Sequence, residues 1–270
     1  MSFYEQDFED LTVSVSGHIL TVTINRPESH NAITLPMVDS FQKVMSYADF
    51  DRQIRVIILT GAGKSFCAGG DIKAMAEKEG MFAGEPNELR QRYEVGIQRI
   101  PKVLTSLETP VVAAVNGAAI GAGLDLACMC DLRICSSKAK FGETFVKLGL
   151  VPGDGGGLFV QRVVGLSKAM EMSLTGRIYQ AEAALAMGLV SEVVEGDVVA
   201  AAEKLVAEIA ANAPVAVRLT KKAIYQACYS PVQEHLQLAA SWQGIAQRTE
   251  DHFEGLKAMT EKRKPEFSGY

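Results

Sequence analysis

Apolar and polar residues alternate from Leu11 to Val15 and again from His18 to Ile24, the period of strands with one buried face. The Ser16-Gly17 pair between them has hairpin-turn chemistry, which predicts an antiparallel pair. After the loop Arg26-Pro-Glu-Ser-His-Asn-Ala32, apolar residues recur at Leu35, Val38, Phe41, Val44 and Met45, a helical spacing that predicts a helix to Tyr47. Arg55 to Thr60 and Val111 to Val115 are apolar without alternation, as strands buried on both faces are. Leu132 to Cys135 is a further short strand. Gly80 to Asn87 reads as a loop, and Leu89 to Leu107 as one helix kinked at Pro101. From Leu158 the period is helical, over Ser167–Thr175, Ala181–Met187, Val198–Ala211, Val215–Ala227, Val232–Thr249 and Asp251–Arg263, with one more strand within Gly188–Val194.

Three glycine-rich stretches interrupt this pattern. Val111 to Cys130 is about as long as a membrane span, but Asn116, Asp125 and glycines 117, 121 and 123 divide it into strand, turn and helix. A helix opening after Gly121 and Gly123 directs free N–H groups and a partial positive charge at whatever lies before it. Asp125 falls in that helix's first turn, where the dipole favours a carboxylate. Gly61-Ala-Gly-Lys-Ser-Phe-Cys-Ala-Gly-Gly-Asp-Ile72 is a second glycine-softened strand exit, and Ala68-Gly69-Gly70 can offer backbone N–H groups to a ligand. It is no phosphate loop, because Ile58 stands where the first glycine belongs. Phe141 to Gly157 is the third stretch and carries Glu143 and Asp154. Nothing matches the dinucleotide-binding fingerprint, so the recurring strand–turn–helix rhythm points to repeated ββα units. His30, a loop histidine with no acidic partner in sequence, reads as a solvated or ligand-edge residue.

Composition narrows the function classes. At 270 residues with 48% hydrophobic and 22% charged residues, the chain is globular and suits one domain with a helical appendage, divided at 1–195 and 196–270. A net charge of −5 argues against a nucleic-acid partner. Five cysteines, odd in number and without C-x-x-C spacing, read as reduced core thiols. The acidic segment Met1 to Asp10 carries no targeting signal, so the expected location is the cytoplasm, with no membrane partner.

Together these stretches resemble the crotonase, or enoyl-CoA hydratase/isomerase, superfamily. The resemblance runs through Asn25-Arg-Pro with Asn31-Ala32, Gly61 to Ile72, Pro110 to Asp131, Lys140 to Gly156, Gly188-Leu-Val and Arg263-Lys-Pro-Glu-Phe. It implies an α/β fold, a crotonase-like spiral of ββα units with a C-terminal helical trimerisation region, assembled as a homotrimer or dimer of trimers. The implied ligand is an acyl-CoA thioester, with coenzyme A entering only as part of the substrate and no metal. By the same resemblance the N–H groups of Ala68 and Ala122 form an oxyanion hole for a thioester enolate. Ser29, Ala32, Ala68, Gly70, Asp71 and Ile72 line the CoA channel, and Gly121 and Phe145 complete the substrate site.

Asp125 and Phe145 occupy the positions of the two glutamates that hold water in a family hydratase. With one arm of that clamp missing, the expected chemistry is a double-bond shift by proton shuttling between Asp125 and Asp154, with Glu143 in reserve. Asp at the first position follows the family's dienoyl-CoA isomerases, whose second aspartate falls one residue away from Asp154. The alternatives are 2-enoyl-CoA hydration, carbon–carbon hydrolysis, and a non-catalytic member that binds acyl-CoA or RNA.

Overall fold

The computed structural model describes residues 3–270; Met1 and Ser2, the start of the segment read for targeting, lie outside it. Its strands are β1 (Leu11–Ser16), β2 (Ile19–Ile24), β3 (Val56–Gly61), β4 (Ser65–Cys67), β5 (Val111–Val115), β6 (Ala118–Ile120), β7 (Leu132–Ser136), β8 (Lys140–Gly142), β9 (Ile178–Gln180) and β10 (Glu192–Val194). They form a six-stranded sheet in the order β1-β2-β3-β5-β7-β10 and a four-stranded sheet in the order β4-β6-β8-β9. Only β1 with β2 and β8 with β9 pair antiparallel among the described residues. Each of the pairs β3–β4, β5–β6 and β7–β8 therefore gives one strand to each sheet, and a helix or turn follows. This is the spiral of ββα units that the glycine punctuation implied.

The central strands β3 and β5 of the large sheet are buried on both sides. Ile57, Leu59, Ala113 and Val115 face the main core, which also holds Phe41, Phe66 and Phe141. Their neighbours Val56, Ile58, Val112 and Ala114 face the opposite way, against Val198, Ala202 and Val206 of the helix Val198–Ala210. Two-sided burial is why these strands show no alternation.

The hairpin forms one residue later than expected. Ser16 pairs with Ile19, which leaves Gly17 and His18 as the turn, and the left-handed φ of +58° falls on Gly17, where no β-carbon opposes it. The single helix expected over Leu89–Leu107 is two, Pro86–Val95 and Arg99–Ser106. The break comes at Gly96, while Pro101 sits in the first turn of the second helix, where its missing N–H costs nothing. Within Gly80–Asn87 a 3-10 turn, Gly80–Phe82, precedes a helix that already starts at Pro86. At the C-terminal end, the helix Pro214–Ala227 is held to the base of the large sheet by Arg218, which donates to the carbonyls of Asp49 and Ile54, and by Lys221, 2.8 Å from Asp131. The next helix, Val232–Ala246, buries no residue in this chain and leaves Leu236 and Ile245 exposed. No helix of the described residues is long and apolar enough to cross a membrane.

Candidate active site

Three glycine turns meet at the C-terminal ends of β4, β6 and β8. The first is held from behind by the loop 26–32. Asn31, fully buried in a left-handed conformation, accepts from the Arg26 N–H and donates to the carbonyls of Ala62 and Ser65. Asn116 ties the same turn from the other side, donating to Gly63 and Ser65. These two asparagines are structural clamps that the sequence reading passed over; their only signal was a polar side chain beside a glycine turn.

Clamping fixes where the backbone donors point. The Ala68 N–H donates to the His30 carbonyl at 3.0 Å, and the Ile33 N–H donates to Gly69 at 2.8 Å. Ala68 therefore has no free donor, which corrects its assignment to the oxyanion hole. The next uncommitted N–H is that of Gly70, which meets no acceptor among the described residues. The His30 carbonyl thus belongs to the turn, and its Nδ1 lies 3.3 Å from the Ser65 hydroxyl. Gly69, at φ +86°, lies so close to the second turn that a β-carbon there would stand 2.7 Å from the Ile120 carbonyl and 3.2 Å from the Ala122 nitrogen. The Gly70 and Ala122 N–H groups are thus carried on adjacent backbone segments.

The second turn is built as tightly. Gly121 donates to the Gly142 carbonyl at 2.8 Å and takes φ +52° with ψ −125°, a region open to glycine. Ala122 begins the helix Ala122–Met129, and its N–H, one of the orphan donors of a helix start, finds no acceptor among the described residues. A β-carbon on Gly123 would collide with the Cys67 carbonyl, so only glycine lets this helix start touch the end of β4. The ring of Phe145, half-buried, stands over Gly121.

The third turn brings in the carboxyls. Asp125, Glu143 and Asp154 are 0%, 1% and 4% exposed. Both oxygens of Asp125 and of Glu143, and Oδ1 of Asp154, are buried with no donor from the rest of the protein. The three carboxyls are near enough that the charges of Asp154 and Glu143 act on Asp125. A β-carbon on Gly156 would run into the Asp125 carboxylate, so the glycines after Asp154 are what allow the helix Gly156–Val164 to close on it.

Carboxyls that meet each other without cations must share protons. Burial, then the nearby charges of Asp154 and Glu143, hold Asp125 well above the carboxylate range. Burial likewise raises Asp154 and takes Glu143 up to about 8. The dipole that would favour an ionised Asp125 at its helix start is outweighed by desolvation.

The remaining expected residues divide. Ala32 is buried beside the clamp and Ser29 is half-buried. Asp71 spends its carboxylate capping the helix Ile72–Glu77, accepting from Lys73 and Ala74, and Ile72 is 65% exposed. Four cysteines are buried as expected, and burial pushes Cys67 and Cys128 up to about 12; Cys228 departs from the expectation, exposed after the helix Pro214–Ala227.

Two free N–H groups and a buried acid cluster thus stand on a two-sheet ββα spiral. Residues 14–270 match the family described as Enoyl-CoA hydratase/isomerase, and the chain belongs to that family. It is 38% identical over 261 residues to the (E)-benzylidenesuccinyl-CoA hydratase of Thauera aromatica, covering 96% of this chain and 99% of the relative. It is 36% identical over 262 residues to the short-chain-enoyl-CoA hydratase of Clostridium acetobutylicum, covering 96% and 98%. The crystal structure of an enoyl-CoA hydratase from Bacillus anthracis superposes with a TM-score of 0.91 at 33% identity, covering 97% of this chain and all of that one.

Proposed function

We propose that this acyl-CoA enzyme adds water to 2-enoyl-CoA thioesters, through an enolate held by the Gly70 and Ala122 N–H groups. The carrying observation is the convergence of Asp125, Glu143 and Asp154 beside those donors. The loss of a glutamate at position 145 weighed against hydration in the sequence reading. Glu143, two residues earlier and buried in the same cluster as Asp125, supports the reading by offering a second carboxyl. The relatives named above are hydratases, which supports the same reading.

With one proton missing from the cluster, its ionised carboxyl takes a proton from water as the oxygen adds to the β-carbon. Negative charge passes to the thioester oxygen, where each preorganised donor supplies about 3–4 kcal/mol. Asp125, kept protonated by its surroundings, delivers a proton to the α-carbon. The proton then passes within the cluster back to Asp125, and the thioester leaves hydrated. CoA itself is held by backbone along Ser29 to Ala32 and Gly70 to Ile72.

Double-bond migration is the second reading, favoured by one observation: Asp125 also faces Asp154, so a proton can move between two acids with no water involved. The test follows crotonyl-CoA, a 3-enoyl-CoA and a 3,5-dienoyl-CoA in heavy water. Hydration of crotonyl-CoA that falls with Asp125→Asn and Glu143→Gln supports the main reading. Isomerisation with deuterium uptake and no hydration replaces it with the second.

A further inference from the structure

The helix Pro214–Ala227 stands off the body of the protein on polar pegs. It has no buried residue, and Arg218, Lys221 and Lys222 reach from it to the Asp49 and Ile54 carbonyls, to Asp131 and to Glu108. Behind it lies a chamber of about 1190 Å³. Ala216, Val217 and Ile224 line the chamber from the helix, and Leu158, Phe159 and Val163 of the helix Gly156–Val164 line it from the body. Leu158 and Ile224 stay 43% and 63% exposed on these inward walls. Protein interiors leave few voids larger than a water molecule, so apolar walls held this far apart make room for something other than the chain's own core. The chamber is separate from the reaction centre. Toward Asp154 the helices Arg99–Ser106 and Ala122–Met129 close on each other without room for a whole water molecule.

The chamber's charged side chains are Asp131, Arg133, Arg162 and Lys221. Three are already engaged: Asp131 accepts from Lys221 and from the Val111 N–H, and Arg133 donates to the Leu189 and Cys130 carbonyls. Arg162 is not. Half-buried, it holds its guanidinium 5.7 Å from the centre of the Phe159 ring and 4.7 Å from that of Tyr229, both of which line the chamber. No acceptor among the described residues takes its N–H groups. Ring contacts draw on the guanidinium's charge and leave its donors unspent, and that planar fork matches a carboxylate bidentately. A cation partly removed from water without a counter-ion costs free energy that an anion would offset.

We propose that the chamber is a second binding site, for an anionic amphiphile: a carboxylate held by Arg162, on a hydrocarbon body that fills the apolar space. The walls suit a neutral hydrocarbon and Arg162 suits one negative charge, so an alcohol or a cation of the same length matches only half of the site. A single unpaired cation fits a monoanion. A carboxylate is one at neutral pH, whereas a phosphate monoester carries close to two charges. The site needs no thioester, so it stands apart from the acyl-CoA reading.

Calorimetry on the full-length protein with sodium decanoate, sodium hexanoate and 1-decanol tests this. Decanoate should bind, tighter than hexanoate by up to about fourfold per buried methylene and at least about tenfold tighter than 1-decanol. Arg162→Ala, with cooperative thermal unfolding retained, should weaken decanoate by about tenfold or more and remove its advantage over 1-decanol. Ile224→Trp, which fills the chamber from the overlying helix, should weaken both ligands. No binding of decanoate to the wild type, equal affinities for decanoate and 1-decanol, or a decanoate affinity that neither substitution alters overturns the site. So does displacement of decanoate by butyryl-CoA, which would put the acid at the reaction centre. The mass by light scattering should not change as decanoate binds; a fall would show that a second copy of the chain fills the chamber, and would overturn the proposal.

Discussion

Replacing Glu143 by glutamine should change how stability depends on pH, and the size follows from the site. The Glu143 carboxyl, 1% exposed beside two other acids, is raised from the usual 4.5 to about 8. Between these pH values the folded protein keeps the proton and the unfolded chain has lost it. Folding then binds a proton, and stability falls as pH rises through this window. Below about 4.5 both states are protonated and the penalty is absent; above about 8 it is complete. At about 1.4 kcal/mol for each pH unit, the full penalty is on the order of 4–5 kcal/mol.

Glutamine keeps the shape and cannot ionise. The difference in stability, variant minus wild type, should therefore start near zero or slightly negative at about pH 5 and climb by several kcal/mol toward about pH 9. Asp125 and Asp154 act in the same direction, so a slope persists in the variant and the difference is the informative quantity. Urea unfolding at fixed protein concentration across that range measures it, with m-values compared to confirm that the denatured state is the same. A difference that stays flat with pH, or declines, would refute the shared-proton description of the cluster.

Asp125→Asn should lower turnover by about 10²–10⁴ while leaving butyryl-CoA affinity within a few fold, as stopped-flow assays and calorimetry can separate. Gly123→Ala should cost about 1–3 kcal/mol, because its β-carbon meets the Cys67 carbonyl. Gly157→Ala, with open space around the added carbon, should instead be neutral or stabilising by about 0.4–1 kcal/mol in thermal unfolding. Leu166, Met170 and Leu174 form an exposed apolar stripe on the helix Leu166–Thr175, so light scattering should give a trimer or dimer of trimers of the 29.1 kDa chain. Leu174→Glu should then lower that mass, and a wild-type monomer at micromolar concentration would contradict the assembly.

The sequence by itself determined the long elements and the chemistry available. Ten or more periodic residues over Leu35–Phe50 or Val198–Ala210, and uninterrupted apolar runs at β3 and β5, register as patterns because burial acts on every residue in them. The three glycine-rich stretches and the acids Asp125, Glu143 and Asp154 were legible too, since their residue types are unusual where they stand. The three-residue strands β4, β6, β8 and β9 were not, being too short to show a period; they exist because a partner strand supplies their hydrogen bonds.

Tertiary structure alone decided which of those residues share a site. Ala68 and Gly70 both looked able to donate, and it was the His30 carbonyl, brought in by the Asn31 clamp, that used up one and left the other. Glu143 looked like a reserve and is buried in one cluster with Asp125 and Asp154, because the close approach permitted at Gly121 and Gly156 draws three chain segments together. Proton sharing among them is a property of that cluster, since desolvation and mutual repulsion act only once the chain has folded and removed the water.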